Sequence, residues 1–391
     1  MSETLRILAV DVGTGTQDIL LFESDKTIEN CFQLIMPSPT VIIADRIKRA
    51  SALGSTLVLT GCTMGGGPCA WAARDHALAG LPVFATPDAA RTFDDDLAMV
   101  AQMGIQIVDE QEVASLTGRD NTVHLELKDL DTAAIITALR AFDIDPGVNA
   151  LAIAAFDHGA APPGMSDRLF RFRYIAETVQ RRAEPVAFSY LREALPAELT
   201  RLQAVAKSAA SYPQHAGRQT ISHRNGGNPH EEALPLLLMD TGSAAVLGTL
   251  DDPRVQKERE AVLVNIGNFH TLAFHLIEGR IVGLFEHHTG LLDQAKLESL
   301  LRRLVEGTLT NAEVFDDSGH GALLLSSRQS KAFPFLAVTG PRREMLRGSA
   351  LHPYDAVPHG DMMLAGCFGL LRAIADQRPD FAEAINAALD N

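Results

Sequence analysis

Asp11 ends an apolar run and is followed by Val-Gly-Thr-Gly-Thr, within the segment Leu8–Phe22, LAVDVGTGTQDILLF. A carboxylate at that place can hold a hydrated Mg2+ ion, a hard cation that takes oxygen ligands. A tight glycine turn leaves backbone N–H groups free to face an anion, and Gly13 and Gly15 permit close approach. The turn amides, the hydroxyls of Thr14 and Thr16, and Gln17 are therefore candidate phosphate contacts. A second segment, Val262–Phe274, VLVNIGNFHTLAF, repeats the layout. Its candidate contacts are Gly267, Asn268, His270 and Thr271. Either segment alone also reads as an ordinary hairpin. Two such turns, one in each half, predict a bilobed protein that closes on a nucleotide.

The elements around these turns read as strand meanders. Residues 5–11, 17–23 and 31–36 form one, with links so short that the strands must be antiparallel. Residues 261–266, 270–277 and 280–285 form another. This internal repeat is the main architectural argument. Between the two, residues 56–60, 69–79 and 81–85 read as strand, helix and strand, hence a parallel pair with a right-handed crossover. Helices are expected over 88–103, 131–142, 191–210, 241–250 and near 293–306, a buried strand over 149–156, and further strands over 235–240 and 333–339. The polar stretch 211–233 reads as a long loop. The predicted class is α/β, with an N-terminal lobe over 1–250 that carries inserted segments and a C-terminal lobe over 251–391.

Composition narrows the functions. Apolar residues make up 46% and charged residues 21%, the balance of an ordinary globular protein. The net charge of -15 excludes the basic footprint of a nucleic-acid binder and opposes docking on anionic membranes. The first residues, MSETLR, hold no apolar signal core, so a cytoplasmic protein is expected. Cys31, Cys62, Cys69 and Cys367 are too sparse for a disulfide framework, and no three cluster as an iron–sulfur site requires.

LAVDVGTGTQDILLF resembles the first phosphate motif of the actin, sugar-kinase and heat-shock ATPase superfamily, and VLVNIGNFHTLAF resembles its second. FLAVTGPRREML, residues 335–346, resembles the adenosine motif, which implies that Gly340 packs against the base and that Arg342 lies beside it. The segment 360–369 resembles the closing interdomain helix. The resemblance implies two actin-like ATPase (ribonuclease H-like) lobes with ATP and Mg2+ in the cleft between them. MDTGSAAVLGTL is similar to the carbohydrate-kinase segment in which an aspartate opens a helix, which implies that Asp240 takes the proton of an attacking hydroxyl. Its position also fits a plain helix cap, and the two roles do not exclude each other. Asn265 departs from the family pattern, which commonly has an acid there. More narrowly, the chain is similar to a family labelled pyruvate formate-lyase activating enzyme-like. That label implies radical chemistry, for which the cysteine cluster is missing.

Three functions stay open on these residues. The first is an ATP-dependent small-molecule kinase or related enzyme, the second an ATPase that activates another protein, and the third a nucleotide binder without turnover. ATP-coupled hydrolysis of a cyclic amide is a variant of the first, from Thr16-Gln17-Asp18. Further candidates are His287 and His288, which an extended chain would point to opposite sides, and Asp157-His158. Arg168, Arg171 and Arg173 are also candidates; on a strand, the last two would share a face toward an anion.

Overall fold

The computed structural model describes residues 4–214, 233–325 and 332–390 of the 391. Its frame is two six-stranded sheets of matching topology. In the first, an antiparallel meander (Arg6–Val12, Thr16–Glu23, Phe32–Pro37) is extended on its Arg6–Val12 side by parallel strands Ala150–Ala155 and Leu236–Met239. Antiparallel Ser189–Leu191 closes that edge. In the second, the meander is Glu260–Ile266, His270–Ile277 and Arg280–His288. Its first strand pairs in parallel with Phe335–Thr339, which pairs in turn with Tyr354–Asp355. Gly321–Leu324 adds an antiparallel strand on the meander side. The chain is thus an α/β protein of two actin-like lobes, and the repeat read from its sequence is the repeat of its sheets. Arg6–Val12 and Ala150–Ala155 are buried along their whole length, as expected for strands covered on both faces.

Two helices lie between the sheets: Thr241–Thr249, which follows the strand Leu236–Met239, and Ala365–Gln377. They cross with almost no space between their backbones. A β-carbon on Gly248 would stand 1.8 Å from the Ala365 carbonyl oxygen, and one on Gly369 would stand 2.0 Å from that of Ala244. The apolar residues of both helices join one core with Ala9, Phe22 and Ala152 of the first sheet and Leu263, Phe274 and Leu284 of the second.

A separate four-stranded parallel sheet is inserted after the first meander, in the order Ile105–Ile107, Val83–Ala85, Thr56–Gly61, Thr122–Leu127. The expected strand–helix–strand unit is present here, with helix Pro68–Leu78 as the crossover. Helices Pro39–Ala52 and Glu110–Thr117 and the strand Thr122–Leu127 complete it, none of them expected from the sequence. The single helix expected over 88–103 is two short ones, Pro87–Ala90 and Leu97–Gln102. The expected 191–210 helix begins only at Thr200. The arginine-rich segment is a helix, Asp167–Arg181, capped by the Ser166 hydroxyl, so Arg171 and Arg173 do not share a face. Most of the expected loop over 211–233 lies outside the described residues. Among the described residues, no helix is long and apolar enough to cross a membrane.

Candidate functional site

Both glycine turns reach one cleft of about 700 Å3. They are built alike: Gly13 N–H donates to the Thr16 carbonyl at 3.0 Å, and Gly267 N–H donates to that of His270 at 2.9 Å. They also face each other, since a β-carbon on Gly15 would stand 3.0 Å from the side-chain nitrogen of Asn268. Asp11, Gly13, Thr14, Gly15, Thr16, Gly267, Asn268, His270 and Gly340 all line the cleft. Gly340 has a φ of 96° and sits tightly against Ile266 and Asn265, so a side chain there would clash.

Four expected residues do not line it. Gln17 points to the other face of its strand and donates to the Pro37 carbonyl. The Thr271 hydroxyl shares a hydrogen bond with that of Thr289. Arg342 has an exposed side chain, and its neighbour Arg343 lines the cleft instead. Asp240 caps the Thr241–Thr249 helix through Oδ1, which accepts from the Gly242 and Ser243 N–H groups. Its Oδ2 accepts from Arg171 at 2.9 Å. With both oxygens engaged, Asp240 fills the cap role that its position fits.

Asp18, named in the sequence only as part of Thr16-Gln17-Asp18, stands opposite Asp11. It is the direct cross-strand partner of Asp11 and lines the same cleft. Asp11 Oδ1 accepts from the Thr241 hydroxyl at 2.5 Å. On the Oδ2 side only glycine fits, because a β-carbon on Gly366 would come within 1.9 Å. Burial pushes the Asp11 carboxyl up to about 7, against the pull of the Thr241 hydrogen bond. Burial also pushes Asp18 up to about 8, with the Asp11 charge adding to it. Asp18 Oδ1 is buried with no hydrogen-bond partner among the described residues. Two desolvated carboxyls sharing one spot favour a proton or a cation between them, so this pair fits Mg2+. The alternation of a strand was the available signal: two residues from Thr16, Asp18 falls on the same face.

The third wall is the loop Gly65-Gly66-Gly67 of the inserted sheet. The Gly65 N–H donates to Asp129 at 3.0 Å, and Arg201 holds Asp129 through two hydrogen bonds of 2.7 and 3.0 Å. The Thr40 hydroxyl donates to the Gly66 carbonyl and accepts from the Cys69 N–H. At the mouth, Gly67 lies against Phe269 of the second turn, and Trp71 meets the same ring edge-on at 5.6 Å. The Cys69 thiol donates to the carbonyls of Gly65 and Gly66, and the Cys62 thiol donates to that of Leu127.

Arg171 forms the base of the cleft. It is fully buried and donates to both oxygens of Glu286, at 2.7 and 2.6 Å, to Asp240 and to the Asp157 carbonyl. It thereby ties the helix Asp167–Arg181 to both sheets. Its guanidinium lies over Phe156 at 3.9 Å, and Phe156 stacks on His270 at 4.0 Å. Arg168 and Arg173 serve elsewhere. Arg168 holds the Phe315 and Gly319 carbonyls, and Arg173 pairs with Glu177 on the surface. His287 turns from the cleft to Asp317, and His288 turns the opposite way, as alternation requires.

Two facing lobes with matched turns define the class by its fold: a two-lobed α/β protein of actin-like topology. Within it, the chain belongs to the family described as "Putative pyruvate format-lyase activating enzyme (DUF1786)", whose pattern matches residues 64–345. Among solved structures, the chain is similar to a ROK family transcriptional regulator titled a homolog of the E. coli MLC protein. The identity there is 10% and the TM-score 0.23, covering 71% of this chain and 38% of that one. It is similar to the ROK hexokinase from Thermus thermophilus at 9% identity and a TM-score of 0.22, covering 71% of this chain and 48% of that one. It is also similar to the ethanolamine utilization protein EutJ from Carboxydothermus hydrogenoformans. There the identity is 10% and the TM-score 0.29, over 93% of this chain and 88% of that one. The chain spans under half the length of the first two. No curated protein sequence matches it.

Proposed function

We propose that this protein binds ATP with Mg2+ between its lobes and transfers or hydrolyses the terminal phosphoryl group, most simply as a small-molecule kinase. The observation that carries this reading is the pair of similarly built turns that face each other in the cleft lined also by Asp11 and Asp18. The amides of both turns and the Thr14 hydroxyl would orient the phosphate chain, and Gly340 would leave a flat wall for the base. Asp11 and Asp18 would hold Mg2+, which when bound spreads and neutralises phosphate charge. Phe269 lines the cleft and meets Trp71 of the inserted sheet's helix, so a closure that brings the two sheets together would exclude water there. We place the boundary between the lobes near residue 250.

Asp11→Asn tests the reading. It keeps the shape and removes one buried charge, so the fold should survive by circular dichroism. Affinity for Mg-ATP should fall at least about tenfold, or 1.4 kcal/mol. Unchanged affinity in a folded variant would refute the role. ATP consumption with a panel of hydroxylated and carboxylated metabolites would then define the acceptor.

One observation favours a second reading, a nucleotide-driven activator of another protein. The expected proton acceptor, Asp240, is spoken for by Arg171 and the helix cap. Slow ATP hydrolysis that no small acceptor accelerates, with protein capture only in the presence of Mg-ATP, would select it.

A further inference from the structure

At the inner end of the cleft, three strands of the second sheet bring three histidines together. His270 and His288 are direct cross-strand partners. His320 immediately precedes the next strand, Gly321–Leu324, and its N–H donates to the Glu286 carbonyl. One ring nitrogen from each of the three lies within 4.8 Å of the others. The ring centres are 4.6 to 5.2 Å apart. His320 is fully buried, yet neither of its ring nitrogens has a hydrogen-bond partner among the described residues, and Nε2 of His270 has none either. Buried polar atoms are rarely left so, because the desolvation penalty is uncompensated. His288 is poised differently. Its Nδ1 sits 2.7 Å from the Ser318 carbonyl, so Nδ1 carries the proton and Nε2 presents a lone pair. A backbone partner on the second ring nitrogen is the usual support of a metal-binding histidine.

We propose that His270, His288 and His320 form a three-histidine site for a borderline divalent transition metal, with zinc the default occupant. Imidazole nitrogens without thiolates suit zinc and its neighbours rather than Mg2+ or Ca2+. Ligand nitrogens on a tetrahedral ion stand about 3.4 Å apart at Zn–N distances of about 2.1 Å. The cluster reaches that by small rotations of its rings. The nearest carboxylate, Glu286, is 3.8 Å from His320 Nδ1 but is held by Arg171. Arg171 is paired with Glu286 and Asp240, and its remaining field helps keep His270 and His320 neutral, the form a metal takes as ligand. Three protein ligands leave a fourth position. His270 lines the cleft, and so does His158, whose ring centre is 5.7 Å from that of His270. The open position therefore faces the cleft beside the second turn, where an oxygen or nitrogen donor of a small molecule could enter. The site shares no residue with the Asp11–Asp18 pair, and it shares His270 with the second turn.

Tag-free, chelator-treated full chain is titrated with zinc by calorimetry, and with cobalt by visible absorption. The expected result is one ion per chain and the absorption of tetrahedral cobalt. His288→Gln and His320→Ala should each lose more than the about 10–100-fold in affinity that a missing supporting partner costs. His287→Gln alters the adjacent histidine, which faces Asp317, and should bind as the parent does. Asp11→Asn should also leave zinc binding intact. Melting curves identify a variant that fails to fold; His288→Gln, at the partly exposed ring, is the safer of the two. No zinc binding by the folded parent, octahedral cobalt only, or zinc affinity unchanged in folded His288→Gln would overturn the proposal.

Discussion

Asp11 and Asp18, two buried carboxyls facing each other across a strand pair, make a pH-dependent contribution to stability. Both carboxyls hold their protons far more tightly in the folded chain, to about 7 and about 8, than an unfolded aspartate near 3.8 does. These two groups therefore contribute stability that is lost as pH rises through about 7 and 8, while the buried histidines, with lowered pKa values, contribute in the opposite direction. The histidines are common to parent and Asp18→Asn, so the difference between the two isolates the pair. From about pH 6 to about pH 8.5 the parent should lose stability relative to Asp18→Asn, and an unchanged difference would contradict the pairing. Arg171 gives a second prediction. Arg171→Ala strands two buried carboxylates and should cost about 3–5 kcal/mol by denaturant unfolding. A loss below 1 kcal/mol would mean that the cluster is not a structural hub. Asp11 and its turn were legible in the sequence because the signal is local: a carboxylate, two glycines and two threonines within six residues. The Arg171 cluster was not, because its partners lie 69 and 115 residues away. Asp240 shows the same limit, since its helix-opening position was readable but the arginine occupying its second oxygen was not.

At the scale of elements, the crossing of Thr241–Thr249 with Ala365–Gln377 joins the lobes. The small residues on both helices were readable in the sequence, but what they pack against was not. Gly369→Ala would drive a methyl into the Ala244 carbonyl. It should lose at least the roughly 1–3 kcal/mol typical of overpacking. Gly290→Ala, which meets nothing within 4 Å, should stay within about 0.5 kcal/mol. Equal stabilities for the two variants would refute close packing at the crossing. The meanders were legible because short links force antiparallel pairing. The Gly65–Gly67 wall was not, because a glycine run reads as a turn wherever it lies. Only the docking of the inserted sheet brings it to the cleft. Similarly, the arginine-rich segment reads as no definite element from its arginines, while Ser166 and the buried face of Phe172, Ile175 and Val179 make it a helix.

For the whole molecule, the central claim is that two repeated half-sites close on one Mg-nucleotide. Trp71, the only tryptophan, meets Phe269 of the second turn and so reports on that turn. One titration reads both events: ATP added to the protein with and without Mg2+, following heat by calorimetry and Trp71 emission in parallel. The account predicts saturable binding of one nucleotide per chain, much weaker without Mg2+, with a Trp71 change that saturates at the same ratio. No heat and no emission change with Mg2+ present would show that the two turns are hairpins only, and the account would fail.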